Sequence, residues 1–97
     1  MAYVLDGLEV NLENSNQIYI ETVRENVAIP CKLTKREEEI LIIMSIYGSS
    51  NQELSNMLYL SDSTVKNHIR NILKKTKKKS TRELLALVMS HAFKLIK

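Results

Sequence analysis

The stretch SNQELSNMLYLSDSTVKNHIRNILKK, residues 50–75, decides the fold. It reads as two helices separated by a short break. Ser50 followed by Glu53 is a capping-box pattern, in which hydroxyl and carboxylate each accept an otherwise orphaned backbone N–H of the other residue. Leu54, Met57 and Leu58 give the first helix one apolar face, and Tyr59 and Leu60 lead out of it. Ser61 or Asp62 can cap the second helix, with Thr64 in its first turn. Val65, Ile69, Ile72 and Leu73 then recur at i, i+4, i+7 and i+8, the stripe of an amphipathic helix. The opposite face carries Lys66, Asn67, Arg70, Asn71 and Lys74 and no carboxylate. Two short helices, a tight turn and a donor-rich second helix predict a helix-turn-helix. Its second helix, over about 61–76, is expected in the major groove of double-stranded DNA.

Lys66, Asn67 and Arg70 fall at i, i+1 and i+4 and so project together. Arginine can bind guanine O6 and N7 with two bonds, asparagine can do the same on adenine, and lysine donates to guanine or phosphate. Ser50 and Asn51, at a helix start, are expected to offer donors to a phosphate. Thr64, Lys74 and Lys75 are further phosphate candidates. The competing reading of each is plain solvation.

The residues themselves resemble a known family. Leu33-Thr34-Lys35-Arg36-Glu37 with Ile40-Leu41, then Gly48 and Ser50-Asn51-Gln52-Glu53-Leu54, then Ser61 to His68, and finally Ile72, Lys75 and Arg82 match in order and spacing. Together they are similar to the DNA-binding domain of LuxR/FixJ/NarL-type transcription regulators, over Leu33 to about Val88. The resemblance implies a four-helix domain, base contacts by Lys66, Asn67 and Arg70, and a final helix that makes a homodimer. Ser55 departs from the pattern where the family usually has a small apolar residue, and Thr76 where it usually has leucine.

Charge is distributed unevenly. Residues 1–31 hold Asp6, Glu9, Glu13, Glu21 and Glu25 against Arg24, a net of −4. Residues 64–82 hold Lys66, Arg70, Lys74, Lys75, Lys77, Lys78, Lys79 and Arg82 without an acid, a net of +8. That asymmetry is the electrostatic footprint expected for a nucleic-acid partner, with a merely solvated basic surface as the alternative. Cys31 is the single cysteine, which rules out an intramolecular disulfide and suits a reducing cytoplasm. No apolar run of 18 residues exists, so no membrane association is expected, and Asp6 and Glu9 interrupt any signal-peptide pattern.

Residues 1–31 read as a small antiparallel β meander. Leu8, Val10 and Leu12 alternate with polar residues, as do Ile18 and Ile20, and Val27 and Ile29 continue the period, with turns at Asn14–Asn16 and Arg24–Asn26. Such a sheet needs a helix to cover it. The helix opened by Thr34 and Glu37 and closed by Gly48 offers that cover, because Ile40 to Met44 are apolar almost all round. The fold class is thus mainly α, a LuxR-type domain at 32–97 preceded by a meander at 1–31. A sheet before the helices is also similar, in architecture only, to OmpR-type winged-helix regulators. Ser80 with Glu83 makes a third capping box, opening a last helix over about Thr81 to Ile96. Its line of Leu84, Val88 and Leu95 can face the core, while Leu85, Met89, Ala92 and Ile96 form a surplus line expected to make a weak homodimer; the alternative is that both lines pack internally against the N-terminal sheet.

Catalysis finds little support. His68 and His91 lie on different helices, no metal-ligand spacing or phosphate loop occurs, and Glu37 to Glu39 point in different directions. No enzyme activity, cofactor or metal is expected. The readings are a sequence-specific transcription regulator, a sigma-factor-like promoter-recognition module, or a protein-interaction module that kept the fold. The 97 residues do not hold an input domain as well. Either such a domain lies outside this sequence, or regulation comes from expression level or a partner, RNA polymerase or an upstream regulatory protein among them; the N-terminal sheet favours the reading as a complete small regulator.

Overall fold

The computed structural model describes residues 2–5, 8–11, 14–48 and 50–95. In chain order come strands β1 (Ala2–Leu5) and β2 (Leu8–Asn11), helix α1 (Asn14–Thr22), a π-helical segment (Val23–Ala28), and helices α2 (Lys35–Tyr47), α3 (Asn51–Leu58), α4 (Asp62–Thr76) and α5 (Thr81–Leu95).

Helix α2 is the core around which the others pack. Thr34 accepts the Glu37 N–H at 3.2 Å while the Glu37 carboxylate accepts the Thr34 N–H at 2.8 Å, so the expected capping box is complete. Gly48 closes the helix at φ +62, a left-handed conformation that glycine adopts without a Cβ penalty. Between these ends Ile40, Leu41, Ile42 and Ile43 are entirely buried and Met44 nearly so. Each such side chain is worth about 1.5–3 kcal/mol of burial. Helix α4 covers one side of α2, α3 packs on α4, and the second side is covered by α1, the π segment and α5.

That second cover corrects the sequence reading. β1 and β2 do pair antiparallel, Val4 opposite Glu9, but no third strand follows among the described residues. Residues 14–28, expected as turn, strand, turn and strand, are helical instead. Ile18 and Ile20 alternate over too short a run to fix a period, and Ile20, Val23 and Val27 also satisfy the helical spacing i, i+3, i+7. All three are buried, within the same cluster as Ile42 and Ile43. Packing on α2 outweighs the β preference of these branched side chains, which is at most about 1 kcal/mol per residue. The Arg24–Asn26 stretch lies inside the π segment, where Arg24 bridges to Glu38 of α2 at 3.4 Å.

Candidate nucleic-acid interface

Helix α3 starts as its sequence specifies. Ser50 accepts the Glu53 N–H at 3.2 Å and Glu53 accepts the Ser50 N–H at 3.0 Å. Those bonds hold the Glu53 carboxyl below the usual carboxylate range, the Ser50 backbone N–H contributing most. They also engage the Ser50 hydroxyl and amide in the cap. A phosphate approaching this end would therefore meet the first-turn amides, beginning with Asn51.

The turn between α3 and α4 is tied by Ser55. Its carbonyl accepts the N–H groups of Tyr59 and Leu60, and its hydroxyl donates to the Leu60 carbonyl. The departure of Ser55 from the apolar residue expected there thus has a local use. Thr76, the other departure, donates its hydroxyl to the Ile72 carbonyl at 2.8 Å. Tyr59, expected to lead out of the first helix, closes α3 at φ +55 and is 94% exposed.

Ser61, not Asp62, caps α4. Its hydroxyl accepts the Thr64 N–H at 3.1 Å and pairs with the Thr64 hydroxyl at 2.7 Å. Val65, Ile69 and Ile72 are buried, Leu73 is half-buried, and Lys66, Asn67, Arg70, Asn71 and Lys74 are all exposed. The helix therefore turns its apolar stripe inward and its donor face outward. On that face Arg70 donates to the Asn67 side-chain carbonyl at 3.4 Å, which brings the two base-reading candidates together. The face is not wholly free of acid, since Lys66 leans on exposed Asp62 at 3.5 Å. His68 is half-buried on the flank.

Lys75 has a different partner from the one its basic neighbourhood suggests. Its ammonium donates to the Glu37 carboxylate at 2.7 Å, and that carboxylate is 3% exposed. The bond joins the end of α4 to the start of α2, across 38 positions of sequence. Burial alone raises the Glu37 pKa, but the bond and charge of Lys75 and the Thr34 donors outweigh it and hold the group below its ordinary value.

The expected dimerisation line divides. Leu85 is half-buried, Met89 is 47% exposed, and Ala92 is only 1% exposed, inside the protein. Ile96 lies outside the described residues. The N-terminal helix bears on this face, since α1 packs on α5 and Tyr19 donates its hydroxyl to the Met89 sulfur at 3.2 Å. Phe93, one helical turn beyond Met89 and 74% exposed, extends the outward line and was missed. Its spacing of four from Met89 was the available signal. At the start of α5, Ser80 accepts the Glu83 N–H at 3.2 Å, but Glu83 reaches back to the Lys79 amide, so the third capping box is displaced by one residue.

Among the described residues no cluster of metal-ligating side chains occurs, and no helix is long and apolar enough to cross a membrane. No solved structure matches the chain. Among curated proteins, the chain is similar to the transcriptional regulatory protein LnrK of Bacillus subtilis, 46% identical over 44% of this chain and 19% of that protein. It is likewise similar to the transcriptional regulatory protein DegU of Brevibacillus brevis, 51% identical over 44% of this chain and 18% of that one. The CsgBAC operon transcriptional regulatory protein of Escherichia coli is 44% identical over 54% of this chain and 24% of its own length. The chain thus matches about a fifth to a quarter of each relative. The family model for bacterial regulatory proteins of the luxR family matches residues 31–88, which hold α2, α3, α4 and the first half of α5. The chain belongs to the luxR family of bacterial regulatory proteins and carries its DNA-binding helix-turn-helix domain.

Proposed function

We propose that this chain is a sequence-specific transcription regulator of double-stranded DNA in the cytoplasm, acting by binding and not by catalysis. Helix α4 enters the major groove. Arg70 and Asn67 read base edges, Lys66 takes guanine or a phosphate, and the start of α3, Thr64 and Lys74 position the backbone. The observation that carries this reading is the exposed, mutually bonded Asn67–Arg70 pair on the face of α4 opposite its buried stripe. A free-standing interaction module has no use for that pairing. The protein acts as a weak homodimer through Leu85 and Met89 of α5, together with Phe93, and meets RNA polymerase or an upstream regulatory partner in that form.

Selection of bound duplexes from a random pool tests both parts together. A two-fold dimer recovers two inverted half-sites whose centres lie about 10 base pairs apart, one helical turn along the duplex. Recovery of a single half-site removes the dimer. Recovery of no motif removes sequence-specific recognition.

A further inference from the structure

Among the cations from Lys66 to Arg82, Arg70 donates to Asn67 and Lys78 is half-buried, and the other six fall into two groups. Lys66 and Lys75 each have a carboxylate, Asp62 and Glu37 respectively. Lys74, Lys77, Lys79 and Arg82 are exposed and, among the described residues, pair with no carboxylate. Glu83, the nearest acid in sequence, accepts the Lys79 backbone amide at 3.4 Å.

The second group is held on a fixed backbone. Lys77 closes α4 at φ +59, a conformation that costs a non-glycine residue about 1–2 kcal/mol. Its N–H reaches the Lys74 carbonyl at 3.3 Å and the Lys78 N–H reaches the Leu73 carbonyl at 3.0 Å, a closed Schellman turn. Glycine or asparagine would fill this position with less strain. Complementing the helix dipole does not explain Lys79 and Arg82, which lie beyond the last turn that Lys74 and Lys75 occupy.

Length supplies the remaining argument. With 15 residues, α4 is about 22 Å long, whereas the major groove is about 12 Å wide. The base-reading residues all lie in its first nine positions. When they enter the groove, the last turn and the Lys77–Arg82 segment extend past its wall.

We propose that Lys77, Lys79 and Arg82 continue from Lys74 as a second anion-binding surface beyond the base-reading face, which takes the phosphodiester backbone of the duplex just outside the half-site. This inference rests on α4 entering the groove. The ligand is polymeric phosphate and not a free anion, because the cations are spread along a helix end and a turn and do not converge on one point.

The test compares the wild-type chain with Lys77→Asn/Lys79→Gln/Arg82→Gln, where asparagine keeps the left-handed position tolerable. Two duplexes carry the same selected half-site, one trimmed to its edges and one extended by about 10 base pairs on each side, one helical turn. The wild type should bind the extended duplex more tightly than the trimmed one. The variant should lose that gain, and its log–log salt slope on the extended duplex should fall by about 2–3 units, at ~0.9 per phosphate contact. Its base preference within the half-site should be unchanged. Retention of both slope and length gain overturns the inference, as does an equal loss on the two duplexes. If the variant melts earlier, Lys79→Gln/Arg82→Gln leaves the helix closure intact and should lower the slope by about 2 units. If the wild type discriminates between no duplexes, the reading of α4 has failed instead, whatever the variant does.

Discussion

Helix α4 and the α1–π unit both bury an apolar stripe, yet they are stabilised in different ways. α4 carries its own supports: Ser61 caps it, Asp62 sits in its first turn, Lys74 and Lys75 sit in its last, and Lys77 closes it. α1 has no acid in its first turn and no base in its last, and the π segment after it lacks a side-chain cap. Contact with α2 and α5 holds that unit, through buried Ile20, Val23 and Val27. A helix with local supports keeps its place while its outer face is free to bind. A helix held mainly by its contacts with neighbours fails when those contacts do.

The largest effect should come from breaking that packing. Val27→Asp puts a carboxylate where the side chain is fully buried, and should destabilise the fold by more than about 3 kcal/mol in chemical denaturation. The same charge at exposed Asn71 of α4 should change stability by less than about 0.5 kcal/mol. A mild effect at Val27 would mean that the π segment does not cover α2 in solution.

A smaller loss should follow from the bond that ties α4 to α2. Glu37→Gln keeps the shape but leaves Lys75 without its counter-charge, and should cost about 1–2 kcal/mol, trimmed because Lys75 is a third exposed. The folded-state pKa of Glu37 lies below the ordinary 4.5. Its ionic contribution is therefore present above pH 4.5 and is lost as the pH falls through the lower folded value. The stability gap between wild type and variant should narrow below pH 4.5. A gap that stays constant through that range would show that the bond stabilises the fold without its charge.

The same comparison explains what could be read from the residues alone. The Thr34–Glu37 and Ser50–Glu53 boxes, the Gly48 stop and the outward Lys66, Asn67 and Arg70 depend on spacings of a few residues, and all were legible. The α1–π unit was not, because Ile18 and Ile20 fit a strand and Ile20, Val23 and Val27 fit a helix equally well. Only the surface of α2 selects between them. Distance in sequence hid two features of the site as well. Lys75 looked free because its partner lies 38 residues away. Ala92 looked exposed because nothing local shows that α1 packs on α5.

The central claim is that the Asn67–Arg70 pair reads bases, and affinity on two duplexes of equal length tests it most directly. At one salt concentration, Asn67→Ala and Arg70→Ala should each cost about 1–3 kcal/mol on the selected sequence. On a scrambled duplex each should cost much less, so that discrimination between the two shrinks. Equal losses on both duplexes would contradict the account, because they would make the pair a contact to the backbone and leave sequence recognition without residues to perform it.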